Sequence, residues 1–415
     1  MKNLFLVFTL SILFFSCKQK KETPNTLENS SAAINDTLTK NLKSAFEKEA
    51  IIGFSVAVVD DKGLIYENGF GYTDIEQKKP YTSNTTQNIA SISKTLIGIA
   101  LLKAQELGKL NIDDPINNYL PFKIINPHYP EQPILIKHLA YHTSSITDLD
   151  EVYSKSYVLE KSKHNDNEGV YEWFSKPEDK ISQIEFMRNS LTENGKWYQN
   201  EIFLKTEPGK TREYSNIGAG LCAYIIESAT GQSYESFTKE YILKPLKMKA
   251  SGWSSKDIDT TNRSRLFAHQ KMMIAEYSLI TKADGGFITS SQDLGLFLTE
   301  LIKGYKGSGT LLSKASYQKL FEKQQFPNVK TNQEFGIFME FSDEFIRIKD
   351  QIIGHNGSDP GVMTAMYFNP ETEIGRILLV NTDSDFNDNF WPEVQEIWRS
   401  LIHYESQIDT NHTNR

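Results

Sequence analysis

Cysteine, long apolar runs and basic stretches are all scarce in this chain of 415 residues. Its two cysteines, Cys17 and Cys222, are too few for a disulfide framework or a cysteine zinc cluster. The formal charge is −8 and no long basic run occurs, which argues against a nucleic-acid partner. With 39% hydrophobic and 24% charged residues, the composition is that of a large globular protein. It excludes disordered, collagen-like and multi-span membrane classes.

The first residues are predicted to be a targeting signal rather than part of the fold. Residues 4–15 are mostly apolar and follow a short cationic start. As a helix they would be about 18 Å long, too short for a bilayer core of about 30 Å. Residues 1–16 followed by Cys17 resemble a bacterial lipoprotein signal, which implies a lipid anchor on Cys17 and a place in the bacterial cell envelope, facing the periplasm or the surface. Secretion is the alternative if Cys17 is not lipidated, and residues 17–32 are predicted to be a polar tether.

The mature chain has strand signals near both ends and helical signals between them. An amphipathic pattern at about 38–51 and an apolar run at 95–107 predict helices, and a hairpin is expected at 53–66. The remaining signals are late strands at 335–341, 345–348, 362–368 and 374–380 and a closing helix at 391–403. This order predicts an α/β (α+β) fold, in which N- and C-terminal helices flank an antiparallel sheet. A mainly helical lobe is inserted at about 110–280.

Motifs for several other chemistries are missing or incomplete. No Gly-x-Ser-x-Gly marks an α/β-hydrolase nucleophile. Gly209-Lys210-Thr211 lacks the first glycine of a phosphate loop, because Leu204 stands in its place. No His-Glu-x-x-His occurs, and the eight histidines show no metal-ligand spacing. The sequence therefore predicts neither a metal nor a cofactor.

The Ser-x-x-Lys pattern indicates a nucleophile only when the neighbouring residues support it. From 36 serines and 37 lysines, chance predicts about three matches, and the chain has three, beginning at Ser91, Ser236 and Ser316. Ser91 differs because it opens an apolar helix, whose N-terminus favours an anion and whose burial would desolvate Lys94, as a lysine base requires. The other two lie in charged segments typical of exposed helices. On this observation alone, a helix cap beside a solvated lysine remains an open alternative for Ser91.

A family resemblance extends over about residues 35 to 400. The segment Ile89-Ala90-Ser91-Ile92-Ser93-Lys94-Thr95 is similar to the nucleophile segment of the serine β-lactamase and penicillin-binding-protein superfamily. The resemblance is closest to the class C-like branch, which includes family VIII esterases and D-aminopeptidases. Further landmarks follow in the family's order at 108–115, 136–144, 207–209, Tyr214-Ser215-Asn216, 285–290 and 354–361. Each is weak alone, and the ordered set is specific.

The resemblance implies a role for each matching residue. Ser91 would be the nucleophile that forms an acyl-enzyme, and Lys94 and Tyr214 would share the proton transfers. The backbone N–H groups of Ser91 and Ser358 would form the oxyanion hole. The expected substrate-binding residues are Asn216, His355, Asn356, Gly357 and Ser358. Without the resemblance, Tyr214 and His355 would be interpreted as ordinary buried residues.

Two departures from the family pattern stand out. His355 replaces the lysine with which β-lactamases and penicillin-binding proteins usually begin the third motif. A mostly neutral imidazole would hold a carboxylate more weakly, which argues against efficient β-lactamase activity. Ser145 replaces the usual glycine, and the long interval after it predicts a cap at about 151–200. The aromatic residues of this cap could form a substrate wall, although a small core of their own is preferred.

The predicted function is acyl transfer to water by a serine hydrolase domain at 33–405, followed by a polar tail at 406–415. The expected substrate is a small ester, amide or peptide, with esterase-like action preferred. The alternatives are a D-amino-acid peptidase or peptidoglycan DD-peptidase, then a β-lactamase. A non-catalytic penicillin- or peptidoglycan-binding lipoprotein remains a further alternative. The expected partners are this substrate and, through the lipid anchor, a membrane.

Overall fold

The computed structural model describes residues 25–164, 168–269, 272–329, 333–384 and 388–413. The predicted signal at 1–16 and the predicted lipidation site Cys17 lie outside these ranges. Within them, no helix combines the length and the apolar character needed to cross a membrane.

The described ranges contain eleven α-helices. These are α1 Asn25–Phe46, α2 Ser93–Glu106, α3 Ile136–Ala140, α4 Asp150–Tyr153, α5 Gln183–Leu191, α6 Asn216–Thr230, α7 Tyr234–Thr238, α8 Lys244–Leu246, α9 Ser291–Lys306, α10 Lys314–Leu320 and α11 Phe390–Thr413. A 3₁₀ turn, Ala90–Ile92, leads directly into α2.

The same ranges contain fifteen strands. These are β1 Gly53–Asp60, β2 Gly63–Asp74, β3 Lys79–Pro80, β4 Thr86–Asn88, β5 Tyr157–Leu159, β6 Glu168–Gly169, β7 Phe267–His269, β8 Met272–Ile274, β9 Tyr277–Leu279, β10 Ile288–Ser290, β11 Glu334–Gly336, β12 Met339–Phe345, β13 Ile348–Asp359, β14 Val362–Phe368 and β15 Gly375–Val380.

Eight strands form one sheet in the order β11-β12-β13-β14-β15-β1-β2-β3. Every neighbouring pair in it is antiparallel. The first strand of the chain lies beside the last, with Phe54 opposite Val380. The sheet is thus built from distant segments, and the predicted fold class is confirmed.

The large sheet lies between two apolar layers. All residues of β14 and β15 are buried, because both faces of these central strands are covered. On one face, Leu38 and Leu42 of α1 and Val394 and Trp398 of α11 fill a core against the sheet. On the other face, α9 and the helical lobe build the larger core. The site described below opens on this second side.

Both ends of the described chain are more helical than predicted. Helix α1 begins at Asn25, so residues 25–32 of the predicted tether belong to it, and α11 reaches Thr413 through most of the predicted tail. Both segments are thus helical over these residues, and their roles as a tether and a tail stay predictions. The physical reason is that a helix docked elsewhere along its length gains a hydrogen bond for each residue added, and neither stretch contains a glycine or proline to stop it.

Residues 110–280, predicted as the helical lobe, contain α3 to α8 and the five short strands β5 to β9. We call residues 151–200 the cap. Its prediction as a small aromatic core is confirmed for three residues, which pack with Tyr277 and Ile274: Tyr157, Tyr171 and Phe174. In contrast, Trp197 and Tyr198 pack against the main core, and Trp173 is 41% exposed.

Candidate active site

Ser91 lies in a tight turn that leads into a buried helix. The preceding residue, Ala90, has φ +48°, in the left-handed region that a side chain disfavours by about 1–2 kcal/mol. The hydroxyl of Ser93 donates to Ala90 O at 2.6 Å and helps to hold this backbone. Ser91 is partly exposed, whereas the first turns of α2 after it are buried. The turn therefore presents one hydroxyl to solvent at the start of a core helix.

Lys94 is fully buried and surrounded by acceptors. Its Nζ donates to Ser91 Oγ at 2.9 Å, to Asn216 Oδ1 at 2.7 Å and to the backbone oxygen of Asp284 at 2.6 Å. Three acceptors match the three N–H bonds of a lysine ammonium. The surroundings thus stabilise the charge that Lys94 carries once it has taken a proton.

Tyr214 completes a group with Ser91 and Lys94. The Nζ of Lys94 lies 5.0 Å from the centre of the tyrosine ring. Burial raises the pKa of Tyr214, and the Lys94 charge together with hydrogen bonds to Lys94 and Ser91 partly offsets this rise. The ring stacks on His142 at 4.5 Å, and burial holds the pKa of His142 well below its usual value. Tyr214 therefore rests on a neutral imidazole.

Asn216 is held in place through the start of α6. Asp148 accepts from the N–H groups of Asn216 at 2.6 Å and Ile217 at 3.0 Å, and from Ser215 Oγ at 2.9 Å. A carboxylate is favoured there because the first N–H groups of a helix lack partners within it. Asp148 thereby aims the Asn216 side chain at Lys94. Asp148 could not be found from the sequence, because a single aspartate distant along the chain leaves no periodic signal.

The third motif lies within β13, against the turn that carries Ser91. A Cβ on Gly357 would stand 2.7 Å from both Ile89 O and Ser91 N, so only glycine permits this approach without a shift. His355 lies on the same face, with its ring 6.1 Å from that of Tyr214. Burial lowers the pKa of His355, so the imidazole is neutral at pH 7.

The side chain of Asn356 is directed towards the core beneath α11, and its role in binding substrate stays a prediction. Its Nδ2 donates to Tyr367 OH at 2.8 Å, and Tyr367 belongs to the core beneath α11. Side chains alternate along a strand, so Asn356 faces away from the side on which His355 and Gly357 lie. Ser358 is exposed and follows Gly357 along β13.

Ser145 has φ +66°, which explains why glycine is usual at this position. Its hydroxyl donates to Thr206 O at 2.8 Å, and its carbonyl accepts from Leu204 N–H at 2.8 Å. These two contacts hold the strained backbone in place. The departure from the family pattern is therefore compatible with the same local conformation.

Three tyrosines of the cap each donate a hydrogen bond to an aspartate outside the cap; we call these contacts the tyrosine clamps. They are Tyr153 OH to Asp284 Oδ2 at 2.8 Å, Tyr157 OH to Asp359 Oδ1 at 2.5 Å and Tyr171 OH to Asp383 Oδ2 at 2.8 Å. Burial raises the pKa of Asp359 to about 7, and its clamp partly offsets the rise. The sequence analysis missed all three aspartates, although Asp359 adjoins the third motif.

The rival motifs lie elsewhere in the structure. Ser236 exchanges a hydrogen bond with Ser233 at 3.0 Å, and Lys319, which follows Ser316, pairs with Glu322 at 2.5 Å. Tyr198 begins Tyr198-Gln199-Asn200, which has the same spacing as Tyr214-Ser215-Asn216, but its ring lies 6.4 Å from that of Phe203 in the main core. Within the part of the chain that the structure describes, no group of three or more His, Cys, Asp or Glu residues could hold a metal ion.

Comparison with curated proteins identifies relatives over most of the chain. Protein flp of Staphylococcus aureus (strain MW2) is 23% identical over 364 residues, which are 87% of this chain and 65% of that protein. Penicillin-binding protein 4* of Bacillus subtilis (strain 168) is 25% identical over 374 residues, or 83% of this chain and 72% of that protein. The chain thus spans less than two thirds of the length of Protein flp.

Two solved structures share the fold. The octameric penicillin-binding protein homologue from Pyrococcus abyssi has a TM-score of 0.65 and 24% identity, covering 86% of this chain and 75% of that one. The D-amino acid amidase from Ochrobactrum anthropi SV3, complexed with L-phenylalanine amide, also has a TM-score of 0.65 and is 19% identical. The match covers 88% of this chain and 99% of that one. The sequence model of the family described as Beta-lactamase matches residues 38–393. This match covers most of the 415 residues, so the chain belongs to the beta-lactamase family of serine hydrolases.

Proposed function

We propose that this protein hydrolyses a small ester or amide through an acyl-enzyme on Ser91. One observation carries the proposal: Lys94 Nζ lies 2.9 Å from Ser91 Oγ in a fully buried position, with two further acceptors ready for the ammonium form. That distance lies within the reach of direct proton transfer. Tyr214 belongs to the same group, with its ring centre 5.0 Å from Lys94 Nζ, and offers the proton a second route.

The reaction begins when Lys94, in its neutral form, takes the Ser91 proton, either directly or through the Tyr214 hydroxyl. The freed Oγ attacks the substrate carbonyl carbon, and the same pair returns the proton to the departing alcohol or amine. Water then attacks the acyl-enzyme, gives up a proton to the pair and releases the carboxylic acid, and Ser91 regains its proton. The backbone N–H groups of Ser91 and Ser358 stabilise the oxyanion, and the contact between Gly357 and the turn supports this role.

The neutral His355 favours an ester or a peptide-like amide over a β-lactam. A β-lactam carries a carboxylate, for which a neutral imidazole provides no opposite charge. Amide substrates stay open, because a fold neighbour is a D-amino acid amidase. We further propose that a lipid on Cys17 holds this activity at the bacterial envelope. Replacing Cys17 with serine should release the protein from the membrane fraction, and a wild type that never partitions there would contradict the anchor.

The test of the proposed chemistry is the intact mass of the protein after incubation with a fluorophosphonate. We expect one adduct on the wild type and none on Ser91→Ala. Ser236→Ala and Ser316→Ala are matched controls, because each removes the serine of another Ser-x-x-Lys pattern, and both should label normally. An absence of any adduct on the wild type would contradict an activated serine and favour a protein that binds ligands without turnover.

A further inference from the structure

We propose that a cavity lined by the cap is a substrate subsite for an organic cation, such as a primary or quaternary ammonium group. The proposal rests on the acyl transfer proposed for Ser91 and names the substrate class of that reaction. The cavity has a volume of about 490 Å³, large enough for a tetraalkylammonium group. Its lining residues are Asp150, Glu151, Tyr153, Ser154, Tyr157 and Trp173.

The aromatic walls of this cavity are fixed at angles that suit a cation. Tyr157 and Trp173 meet edge to face, with centroids 5.0 Å apart and planes at 86°, and Tyr153 and Tyr157 do so at 5.6 Å and 81°. The tyrosine clamps hold both phenol groups, so these rings cannot rotate away freely. A cation beside several ring faces is attracted by their quadrupoles. Trp173 is the outer wall, and its exposure leaves it open to a ligand.

The charges around the cavity have the complementary sign. Asp150 and Glu151 lie at its rim, and both are exposed. The lysine nearest in sequence, Lys155, places its Nζ 5.9 Å from the ring of Trp197, so its charge is directed at a ring outside the cavity lining. Behind the aromatic walls lie two of the clamp aspartates. A cationic ligand therefore meets both opposite charge and aromatic surface, whereas an anionic ligand would be repelled by the carboxylates at the rim.

The cavity is connected to the reacting atoms through its own walls. Tyr153 donates to Asp284, whose carbonyl accepts from Lys94, and Lys94 contacts Ser91. On the other wall, Tyr157 donates to the aspartate that directly follows Ser358 in β13. A substrate long enough to reach from Ser91 to this cavity would place a cationic group there. The subsite would thus select the acyl part or the leaving group by charge.

A pair of isosteric esters tests this inference. The first is the p-nitrophenyl ester of butanoic acid with a trimethylammonium tip, and the second replaces the nitrogen by carbon to give a neutral tert-butyl tip. We expect wild-type kcat/KM to be about tenfold higher for the ammonium ester. In Trp173→Leu, and in Asp150→Asn combined with Glu151→Gln, the ratio should fall towards one, while the rate on the neutral ester stays nearly unchanged.

Matched variants separate binding from damage to the fold. Trp391→Leu removes a tryptophan that is also exposed, at 42% against 41% for Trp173, but lies on α11, so the ratio should stay at its wild-type value. Trp173→Phe should restore part of the preference. A wild type without preference, or an equal loss on both esters in Trp173→Leu, would overturn the inference.

Labelling provides a second readout that does not need ester turnover. Two fluorophosphonates with the same ammonium and tert-butyl tips should modify Ser91 at rates that differ in the same direction. Equal labelling rates would overturn the subsite while leaving the proposed serine chemistry intact. Labelling by neither probe would contradict the proposed function itself, so the two failures are distinguishable.

Discussion

The region around Ser91 and the cap are held in place by different parts of the chain. Around Ser91, several fixed points are main-chain atoms: the carbonyl of Asp284 receives Lys94, Asp148 binds the N–H groups of α6, and the backbone of Gly357 touches the turn. The cap is joined to the rest of the chain by the main-chain pairing of β5 with β9 and, in addition, by the tyrosine clamps, which are bonds between side chains. One substitution removes a clamp and leaves the strand pairing in place. The clamps are therefore the part of the cap that a single substitution changes most easily.

The largest effect is expected from Lys94→Ala, which tests the region around Ser91. We expect kcat/KM and the rate of Ser91 labelling to fall roughly 10³-fold, because a positioned base typically contributes about 10²–10⁴-fold. The variant should remain folded, although it leaves buried acceptors unpaired, and a circular dichroism melt checks this. Turnover near the wild-type level would remove Lys94 from the mechanism.

Tyr214→Phe should have the next largest effect, and Tyr198→Phe is its control. Loss of the Tyr214 hydroxyl should lower kcat about 10²-fold, since it removes one proton route from Ser91. Tyr198 packs on the main core and should tolerate the same change with activity near wild type. Steady-state kinetics of the two variants decide the matter, and the reverse ranking would show that the wrong tyrosine was chosen.

Tyr157→Phe tests how a clamp of the cap contributes to stability, through the pH dependence of the unfolding free energy. Because the pKa of about 7 for Asp359 lies above the value of about 3.9 for a free carboxyl, the folded state holds the proton more tightly. This contribution to stability is greatest below pH 4 and is lost as pH rises through 7. Tyr157 favours the ionised form, so Tyr157→Phe should extend the loss to higher pH and lower the unfolding free energy by roughly 1.5 kcal/mol at pH 8.

Thermal unfolding of Tyr157→Phe and Asp359→Asn between pH 4 and 9 measures this effect. Asp359→Asn should flatten the pH dependence, because its side chain cannot ionise. Glu393 also has a pKa raised to about 7 by burial, so the difference between variants is the measure rather than the wild-type slope. Identical slopes in wild type and Asp359→Asn would show that this clamp does not couple to pH.

Asn356→Ala should have the smallest effect on catalysis. It tests whether Asn356 belongs to the active site or to the core. Since Asn356 faces the core beneath α11, kcat/KM should change less than about twofold. The lost hydrogen bond to Tyr367 should lower the unfolding free energy by about 1 kcal/mol. Kinetics and denaturant unfolding of one preparation measure both. A large fall in kcat/KM without loss of stability would return Asn356 to the cleft.

The sequence located the centre of the site better than its surroundings. Ser91, Lys94 and Tyr214 could be found because they stand in ordered motifs, and the structure brings the three together. The orientation of Asn356 could not be predicted, because the face of a strand residue depends on the register and the predicted strands did not include the third motif. In the structure that motif lies inside the twelve-residue strand β13.

The clamps and Asp148 could not have been predicted in the same way. Each joins two residues far apart in the sequence, for example Tyr157 and Asp359, and a lone tyrosine or aspartate carries no periodicity. The aromatic content of the cap was visible, but its partners were not. The extra helical turns at both termini were missed because they depend on docking elsewhere along each helix.

The pairing of β1 with β15 also sets the order of events when the chain is made. Strand β1 can pair with β15 only after nearly the whole polypeptide has been synthesised, because Phe54 pairs with Val380. Folding with such distant contacts is slow, since a long loop must close before its contacts form. Until then one side of β1 is free to pair with other extended segments. A newly made chain therefore avoids aggregation only if β1 pairs with β15 before it pairs with another chain.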